Sequence, residues 1–169
     1  MFSPRPVAKE SRRFRVVFVG NASLRKGIGY LLDALQPLVK QNVVETWLVG
    51  AIASEARPIL KVHAGEFIHH GVQPRAKLAE YLSRCDVMVL PSIEEGLALV
   101  QAQAMACGLP VIATPNTGAE DLFTDGVEGF IVPIRDPKAI REKIQWMLDS
   151  PIKRQEMGEA ALRRVKSLG

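Results

Sequence analysis

The chain alternates short apolar runs with segments of helical periodicity, and this alternation limits its possible folds more than any other feature. Strand-length runs are predicted at residues 14–19, 45–49, 66–70, 86–90, 110–114 and 129–132. Helix-period segments are predicted at residues 29–40, 54–63, 74–84, 97–107, 117–123, 137–149 and 152–167. Strands that alternate with helices favour a parallel sheet covered on both faces. We therefore predict an α/β fold, a three-layer α/β/α sandwich with a six-stranded, mainly parallel sheet.

Local residues predict several helix boundaries within this pattern. Asp136 followed by Pro137 predicts an N-cap and a first helical residue. Ser150 followed by Pro151 is expected to end one helix and begin the next. Gly108 fits the left-handed residue that ends the helix before it.

The size and composition of the chain fit a single globular domain. It has 169 residues, of which 47% are hydrophobic and 24% are charged, which is enough mass for one buried core. We expect residues 1–13 to form a linker or disordered end and residues 14–169 to form the domain. The net charge is +4, with basic residues near both ends. Base stacking uses aromatic residues, and few lie among these charges, so we expect no nucleic-acid partner.

The sequence carries no metal-site, disulfide or membrane-span signal. Cys85 and Cys107 lack metal-type spacing and predict buried free thiols in a reducing compartment. Neighbouring strand residues point to opposite faces, so His69 and His70 are not expected to share a metal ion. No segment approaches the roughly 20 apolar residues of a membrane span. We expect a cytoplasmic location, with peripheral contact at the inner face of the membrane only through another part of the protein.

The loop after the first strand is the first candidate for ligand binding, because ligands of open α/β sheets bind beyond the carboxyl ends of the strands. It contains Gly20, Asn21, Arg25 and Lys26 just before a helix. A lysine binds phosphate as a point charge, and an arginine binds it bidentately. The spacing matches neither the dinucleotide-binding fingerprint nor the P-loop. From this loop alone, phosphate binding and solvated charges are equal alternatives.

The turn after the fourth strand combines an anion-binding arrangement with a carboxylate. A strand, a tight turn and a helix aim free backbone N–H groups beyond the strand end, which favours phosphate. Glu94 fits an acidic first-turn residue stabilised by the helix dipole. Glu95, next to Gly96, would repel a phosphate and is expected to face a neutral polyol on the same ligand. A ligand with an anionic group and a polyol is a nucleotide sugar.

Two further loops are candidates for the same cleft. Residues 71–73, with Val72 at their centre, either touch a base or only end the third strand. Residues 114–121 either supply glycine and hydroxyl groups to the cleft or simply begin a helix.

Together these segments resemble the carboxyl-terminal domain of family-4 (group 1) retaining glycosyltransferases, whose GT-B fold has two Rossmann-like domains. The resemblance covers residues 14–169. It is carried by the Lys26-Gly27 loop, Asp86-Val-Met-Val-Leu-Pro-Ser, Glu95-Gly-Leu-Ala-Leu-Val, Ala104-Met-Ala-Cys-Gly-Leu-Pro-Val-Ile-Ala and Asp125-Gly-Val-Glu-Gly-Phe-Ile-Val-Pro. It implies a Rossmann-like domain that forms one half of a GT-B fold and belongs to a hexosyltransferase-type enzyme using a nucleoside-diphosphate sugar.

The resemblance also implies roles for single residues. Glu95 matches a glutamate that contacts the donor sugar, and Lys26 matches the lysine that neutralises the donor diphosphate, so both are catalytic candidates. The donor-binding candidates are Gly20, Asn21, Arg25, Lys26, Val72, Glu95, Gly96, Leu97, Ala98, Leu99, Val100 and Gln103. Neither a cofactor nor a metal is expected in this site.

Two positions depart from the family pattern. The second family glutamate, usually hydrogen-bonded to the ribose, falls on Gln103, which keeps an acceptor oxygen of similar reach. The arginine usual after the first-loop glycine falls on Asn21, and Arg25, next to Lys26, is the candidate to supply that charge instead.

Two functional hypotheses follow. One is the donor-binding half of a transferase, inactive alone, whose acceptor is unknown and whose amino-terminal Rossmann-like domain is a missing partner. The other is a non-catalytic nucleotide-sugar-binding or scaffold domain, which Asn21 and Gln103 favour. A dinucleotide-dependent oxidoreductase is disfavoured, because the glycine fingerprint after the first strand is absent.

Overall fold

A computed structural model describes residues 12–93 and 99–168, which form one parallel sheet with helices around it. The strands are β1 (Phe14–Val19), β2 (Val44–Val49), β3 (Ile68–Gly71), β4 (Val87–Leu90), β5 (Val111–Ala113) and β6 (Gly129–Ile131). Their order in the sheet is β3-β2-β1-β4-β5-β6, and all pairings are parallel. The predicted α/β fold with a six-stranded sheet is confirmed, and the described sheet is wholly rather than mainly parallel.

Helices cover both faces of this sheet. They are α1 (Ile28–Lys40), α2 (Arg57–Val62), α3 (Arg75–Ser83), α4 (Leu99–Ala106), α5 (Ala119–Leu122), α6 (Pro137–Asp149) and α7 (Pro151–Ser167). Because crossover connections between parallel strands are right-handed, α1 and α2 lie on one face and α3, α4 and α5 on the other. α6 packs against α1, and α7 packs against α4. None of the helices in the described ranges is long and apolar enough to cross a membrane.

The local signals for helix boundaries act as the sequence predicts. The Asp136 carboxylate accepts a hydrogen bond from the Ala139 N–H at 3.0 Å, which caps α6. Ser150 is both the C-cap of α6 and the N-cap of α7. Gly108 has a φ of +77°, which suits the left-handed residue after α4.

Two predicted helices are shorter than their periodicity suggested. Residues 54–63 divide into a 3₁₀ turn, Ser54–Ala56, followed by α2. The segment 117–123 gives only α5, because Gly118 has a φ of +79° and separates it from a 3₁₀ turn at Pro115–Thr117. A left-handed residue cannot continue a right-handed helix.

The strands differ in burial according to their place in the sheet. All residues of β4 and β5 are buried, because strands and helices surround them. β3 lies at one edge, starts two residues later than predicted and has two exposed residues, including Ile68. The central strands therefore form a rigid base for the loops at their carboxyl ends.

The start of the described chain is tied to the first strands. The Arg12 guanidinium lies 2.7 Å from Asp86, and that of Arg13 lies 2.9 Å from Glu45. The main-chain N–H of Arg15 also donates to the Asp86 carboxylate at 2.7 Å. The rest of the predicted linker, residues 1–11, lies outside the described residues.

Candidate functional site

The strand order defines where a ligand crevice lies. The chain leaves β1 toward β2 and β3, and later returns to place β4 on the opposite side of β1. Such a switch point opens a crevice beyond the carboxyl ends of the two adjacent strands. Val16 and Val17 of β1 pair with Val87 and Met88 of β4, so both strands end at the same level. The loops that follow β1 and β4 therefore face each other.

The loop after β1 brings a lysine over a glycine. A Cβ atom added to Gly20 would lie 3.1 Å from the Nζ of Lys26, so the ammonium group occupies the space above this glycine. Gly20 has a φ of +130°, which residues with a Cβ rarely adopt. Asn21 and Arg25 are exposed, and Lys26 is partly buried. Gly20 and Lys26 are thus close together, and the donor-binding roles of all four residues stay predictions.

Main-chain contacts fix this loop against β2. A Cβ on Gly50 would overlap the carbonyl oxygen of Gly20, so only a glycine fits there. The N–H of Ala22 donates to the Ala51 carbonyl at 2.8 Å, and the Ala22 carbonyl accepts from the N–H of Ala53 at 3.0 Å. The loops after β1 and β2 therefore extend the sheet pairing past the strand ends.

The same loop is also held against the end of β4. A Cβ on Gly27, whose φ is +75°, would overlap the carbonyl oxygen of Pro91. The N–H of Ile93 donates to the Arg25 carbonyl at 2.8 Å. Backbone contacts on both sides thus set the position of the loop that carries Lys26.

The predicted residues of the β4–α4 turn lie only partly within the described chain. Four of them are outside the described residues: Glu95, Gly96, Leu97 and Ala98. Leu99 is the first described residue of α4 and is 54% exposed, whereas Val100 packs partly against the core. Gln103 lies one turn further along α4 and is only 8% exposed. A ligand can contact Gln103 only through that small remaining surface, and its ribose contact stays a prediction.

Val72 lies apart from the crevice centre. It follows the edge strand β3 and is 75% exposed. Two strand spacings separate β3 from β1, which amounts to about 10 Å across the sheet. A contact between Val72 and a base therefore requires a ligand that extends from Lys26 across the carboxyl ends of β1, β2 and β3.

The adjacent histidines of β3 contact different parts of the chain. The Nε2 of His69 lies 2.7 Å from the Gly50 carbonyl oxygen. The His70 ring packs against Trp47 and Tyr81, with ring centroids 4.2 Å and 5.1 Å away, and burial lowers its pKa. Among residues 12–93 and 99–168, no three His, Cys, Asp or Glu side chains are grouped so that they could hold a metal ion.

The loop after β5 uses its hydroxyl groups in hydrogen bonds to main-chain carbonyls. The Thr114 hydroxyl donates to the Ser92 carbonyl at 2.6 Å, and the Thr117 hydroxyl donates to the Thr114 carbonyl at 2.7 Å. Both threonines are buried. The exposed Asn116 also reaches the β4 loop, where its amide donates to the Ile93 carbonyl at 2.6 Å. Sequence reasoning missed Asn116, since an Asn in a turn is common and only the fold shows its partner.

These loops and the fold beneath them are those of a known enzyme family. Residues 2–164 match the family described as glycosyl transferases group 1. The chain therefore belongs to the group 1 glycosyltransferase family, as its motifs predict.

Individual relatives agree with this assignment. The capsular polysaccharide biosynthesis glycosyltransferase CapM of Staphylococcus aureus is 28% identical over 162 residues, covering 91% of this chain and 42% of CapM. A sucrose-phosphate synthase of Thermosynechococcus elongatus superposes with a TM-score of 0.86 at 28% identity, covering 99% of this chain and 45% of the synthase. HepE of Anabaena has a TM-score of 0.82 at 24% identity, covering 93% of this chain and 44% of HepE, and shows the shared fold. The chain spans less than half the length of each of them.

Proposed function

We propose that this chain is the donor-binding domain of a retaining glycosyltransferase that uses a nucleoside-diphosphate sugar. In this proposal the domain forms one half of a GT-B enzyme, and an amino-terminal Rossmann-like domain outside this chain supplies most acceptor contacts. The chain's coverage of less than half of CapM and of the synthase is consistent with a second domain.

The position of Lys26 is the observation that carries the proposal. Its ammonium group lies above Gly20, at the carboxyl end of β1 and beside the start of the switch-point crevice. A fixed cation at this place attracts the diphosphate of the donor. It also stabilises the negative charge that grows on the diphosphate when the sugar leaves.

The other donor contacts are proposed from the family pattern. Glu95 positions the hydroxyl groups of the sugar, the backbone around Leu99 faces the distal phosphate, and Gln103 accepts from the ribose. Val72 touches the base at the sheet edge. We assign no nucleophile, since no described residue supports a covalent intermediate. Lys26 supplies the charge in this scheme, so we expect donor binding without a metal ion.

A relative with the same fold is consistent with this ligand class. The structure of HepE was determined in complex with UDP and glucose. The Rossmann-like fold that HepE shares with this chain includes the carboxyl-end crevice, where we propose that the donor of this chain binds.

The donor-binding claim is tested by calorimetric titration of the chain with UDP, GDP and ADP. We expect one nucleotide to bind and Lys26→Ala to weaken that binding by about 10- to 100-fold, as for loss of a charged hydrogen bond. The matched control is Lys138→Ala, which removes an 82% exposed lysine of α6 and should leave binding unchanged. Adding EDTA should also leave it unchanged. No binding of any of the three nucleotides at millimolar concentration contradicts the proposal.

A non-catalytic domain with a degenerate donor site is the second candidate. Gln103 favours it in two ways. Its side chain is only 8% exposed and leaves little surface for a ribose. A neutral glutamine also makes a weaker bond to the ribose hydroxyl groups than a glutamate does. If Gln103→Glu strengthens nucleotide binding markedly, the present site is degenerate. If the full-length protein transfers sugar with Gln103 in place, the substitution is tolerated and the second candidate is wrong.

A further inference from the structure

Ile93 joins three loops at the carboxyl edge of the sheet. It is the last described residue of the segment after β4, and both of its main-chain groups bond to other loops. Its N–H donates to the Arg25 carbonyl of the β1 loop at 2.8 Å. Its carbonyl accepts from the Asn116 side-chain amide of the β5 loop at 2.6 Å. A single peptide segment therefore connects the β5 loop to the residue just before Lys26.

The β5 loop is a rigid support for Asn116. Pro115–Thr117 form a 3₁₀ turn, and Gly118 follows it with a φ of +79°. The buried amide of Gln101, on α4, donates to the Thr117 carbonyl at 3.0 Å. These contacts, together with the hydroxyl bonds of the two threonines, hold the loop from both ends and limit the directions in which Asn116 can point.

The bond from Asn116 is not needed to satisfy Asn116 itself. The side chain is exposed, so water would solvate its amide equally well. The bond instead satisfies the Ile93 carbonyl, which follows the point where Gly27 meets Pro91. An exposed side chain that reaches a main-chain group of another loop fixes the relative position of the two loops.

We propose that Asn116 is a positioning residue for the loop that carries Lys26, acting through Ile93 and Arg25. Asn116 need not touch the ligand itself. It holds Ile93 so that the Ile93 N–H stays bonded to Arg25, and this bond keeps Lys26 above Gly20. The inference rests on the proposed function only in assigning donor binding to Lys26.

Amide hydrogen exchange tests the positioning role without any ligand. In Asn116→Ala and Asn116→Asp, neither of which can donate to the Ile93 carbonyl at neutral pH, we expect the Ile93 N–H to exchange about 3- to 10-fold faster, the effect of one neutral hydrogen bond. Amides within β4 should keep their rates. Ser167→Ala is the control. It removes an exposed hydrogen bond from the Ser167 hydroxyl to the Arg164 carbonyl, at the end of α7 and far from the crevice.

The exchange result decides the positioning role by itself. An unchanged Ile93 rate overturns it, and so does a uniform increase over the whole chain, which would show a general loss of stability.

A double-mutant cycle then tests whether positioning acts on binding. With the nucleoside diphosphate that the wild type binds, Asn116→Ala should weaken binding about 3- to 10-fold, but less than about 2-fold when Lys26→Ala is already present. Equal effects in both backgrounds overturn the route through Lys26. If the wild type binds none of the nucleotides, the donor proposal fails, and the exchange experiment still decides whether Asn116 holds the loop.

Discussion

Two regions of the molecule are held together by different physical means. At the crevice between β1 and β4, main-chain atoms meet directly, with Gly27 against the Pro91 carbonyl and Gly50 against the Gly20 carbonyl. Between α1, the end of α2 and the residues just before β3, polar side chains make the contacts. There the buried His63 ring lies 2.9 Å from Asp33 and 2.7 Å from Glu66.

This difference predicts different sensitivities. Close main-chain contacts tolerate no added atom but are indifferent to pH. The second region depends on the ionisation of Glu66, because hydrogen bonds from Gln36 and His63 to its carboxylate lower its pKa. The crevice should therefore respond to added volume, and the region between α1, α2 and β3 to acid.

The largest effect is expected from Gly27→Ala. The new methyl group would overlap the Pro91 carbonyl, and the φ of +75° is strained for alanine, so we expect a loss of about 3 kcal/mol or more in the free energy of unfolding. Urea unfolding measures it. Gly65→Ala is the matched control, since Gly65 has a φ of +82° but no atom within 4 Å of an added Cβ, and should cost about 1–2 kcal/mol. Equal losses at the two positions would refute the close contact.

The next largest effect is expected from His63→Leu. The His63 side chain is 4% exposed, and its loss leaves Asp33 and Glu66 without their shared hydrogen-bond partner. Because Asp33 is 60% exposed, water can replace its bond to His63, and we expect a loss of about 2 kcal/mol in the free energy of unfolding, mainly from the bond to Glu66. Lys138→Ala, at an exposed ion pair on α6, should change stability by less than about 0.5 kcal/mol in the same unfolding assay.

A smaller, pH-dependent effect is expected at Glu66. Two hydrogen bonds lower the pKa of this carboxyl in the folded state. The bond from Gln36 has the larger effect, and the bond from His63 the next largest. The unfolded chain then binds the proton more tightly, so this contribution is present above the ordinary glutamate pKa and is lost as pH falls through the lowered one.

Urea unfolding as a function of pH measures the Glu66 contribution. Gln36→Leu removes the main cause of the shift and should flatten the acid dependence in this window. Gln145→Leu, whose partner is the exposed Asp149 on α6, is the control and should not flatten it. An unchanged acid profile in Gln36→Leu would contradict the assignment.

The smallest effect on stability is expected at His70, whose protonation can be followed through the fluorescence of a neighbouring tryptophan. Burial lowers the pKa of His70, so the folded protein resists its protonation and loses this contribution as pH falls below the ordinary histidine value. Its ring lies 4.2 Å from that of Trp47. In a Trp146→Phe background, we expect Trp47 fluorescence to fall with a midpoint below about pH 6.5. The same titration of His70→Gln should show no such transition, and a transition that persists would mean another group causes it.

Much of the fold could be predicted because its signals are local. Helical and strand periodicity, the Asp136 cap and the glycine at position 108 act over a few residues and are visible along the chain. The weakest predictions were the short helices after Ser54 and Pro115, where 3₁₀ turns and Gly118 interrupt the pattern. Periodicity does not distinguish an α-helix from two shorter turns of similar spacing.

The candidate site could be predicted only in part. The residue types and order around Lys26 indicate phosphate chemistry and, with the other motifs, the family. They did not show that Lys26 lies above Gly20, that Gln103 is buried or that Asn116 reaches Ile93.

The sequence by itself determined the α/β class, the strand count, most helix boundaries and the family, because each depends on neighbouring residues or on an ordered set of motifs. Only the tertiary structure decided that the sheet order reverses between β1 and β4 and that their loops interlock there. The physical reason is that the contact of Gly27 with Pro91 and the bonds of Ile93 join residues distant in sequence. Such contacts exist only once parallel pairing has aligned the strand ends.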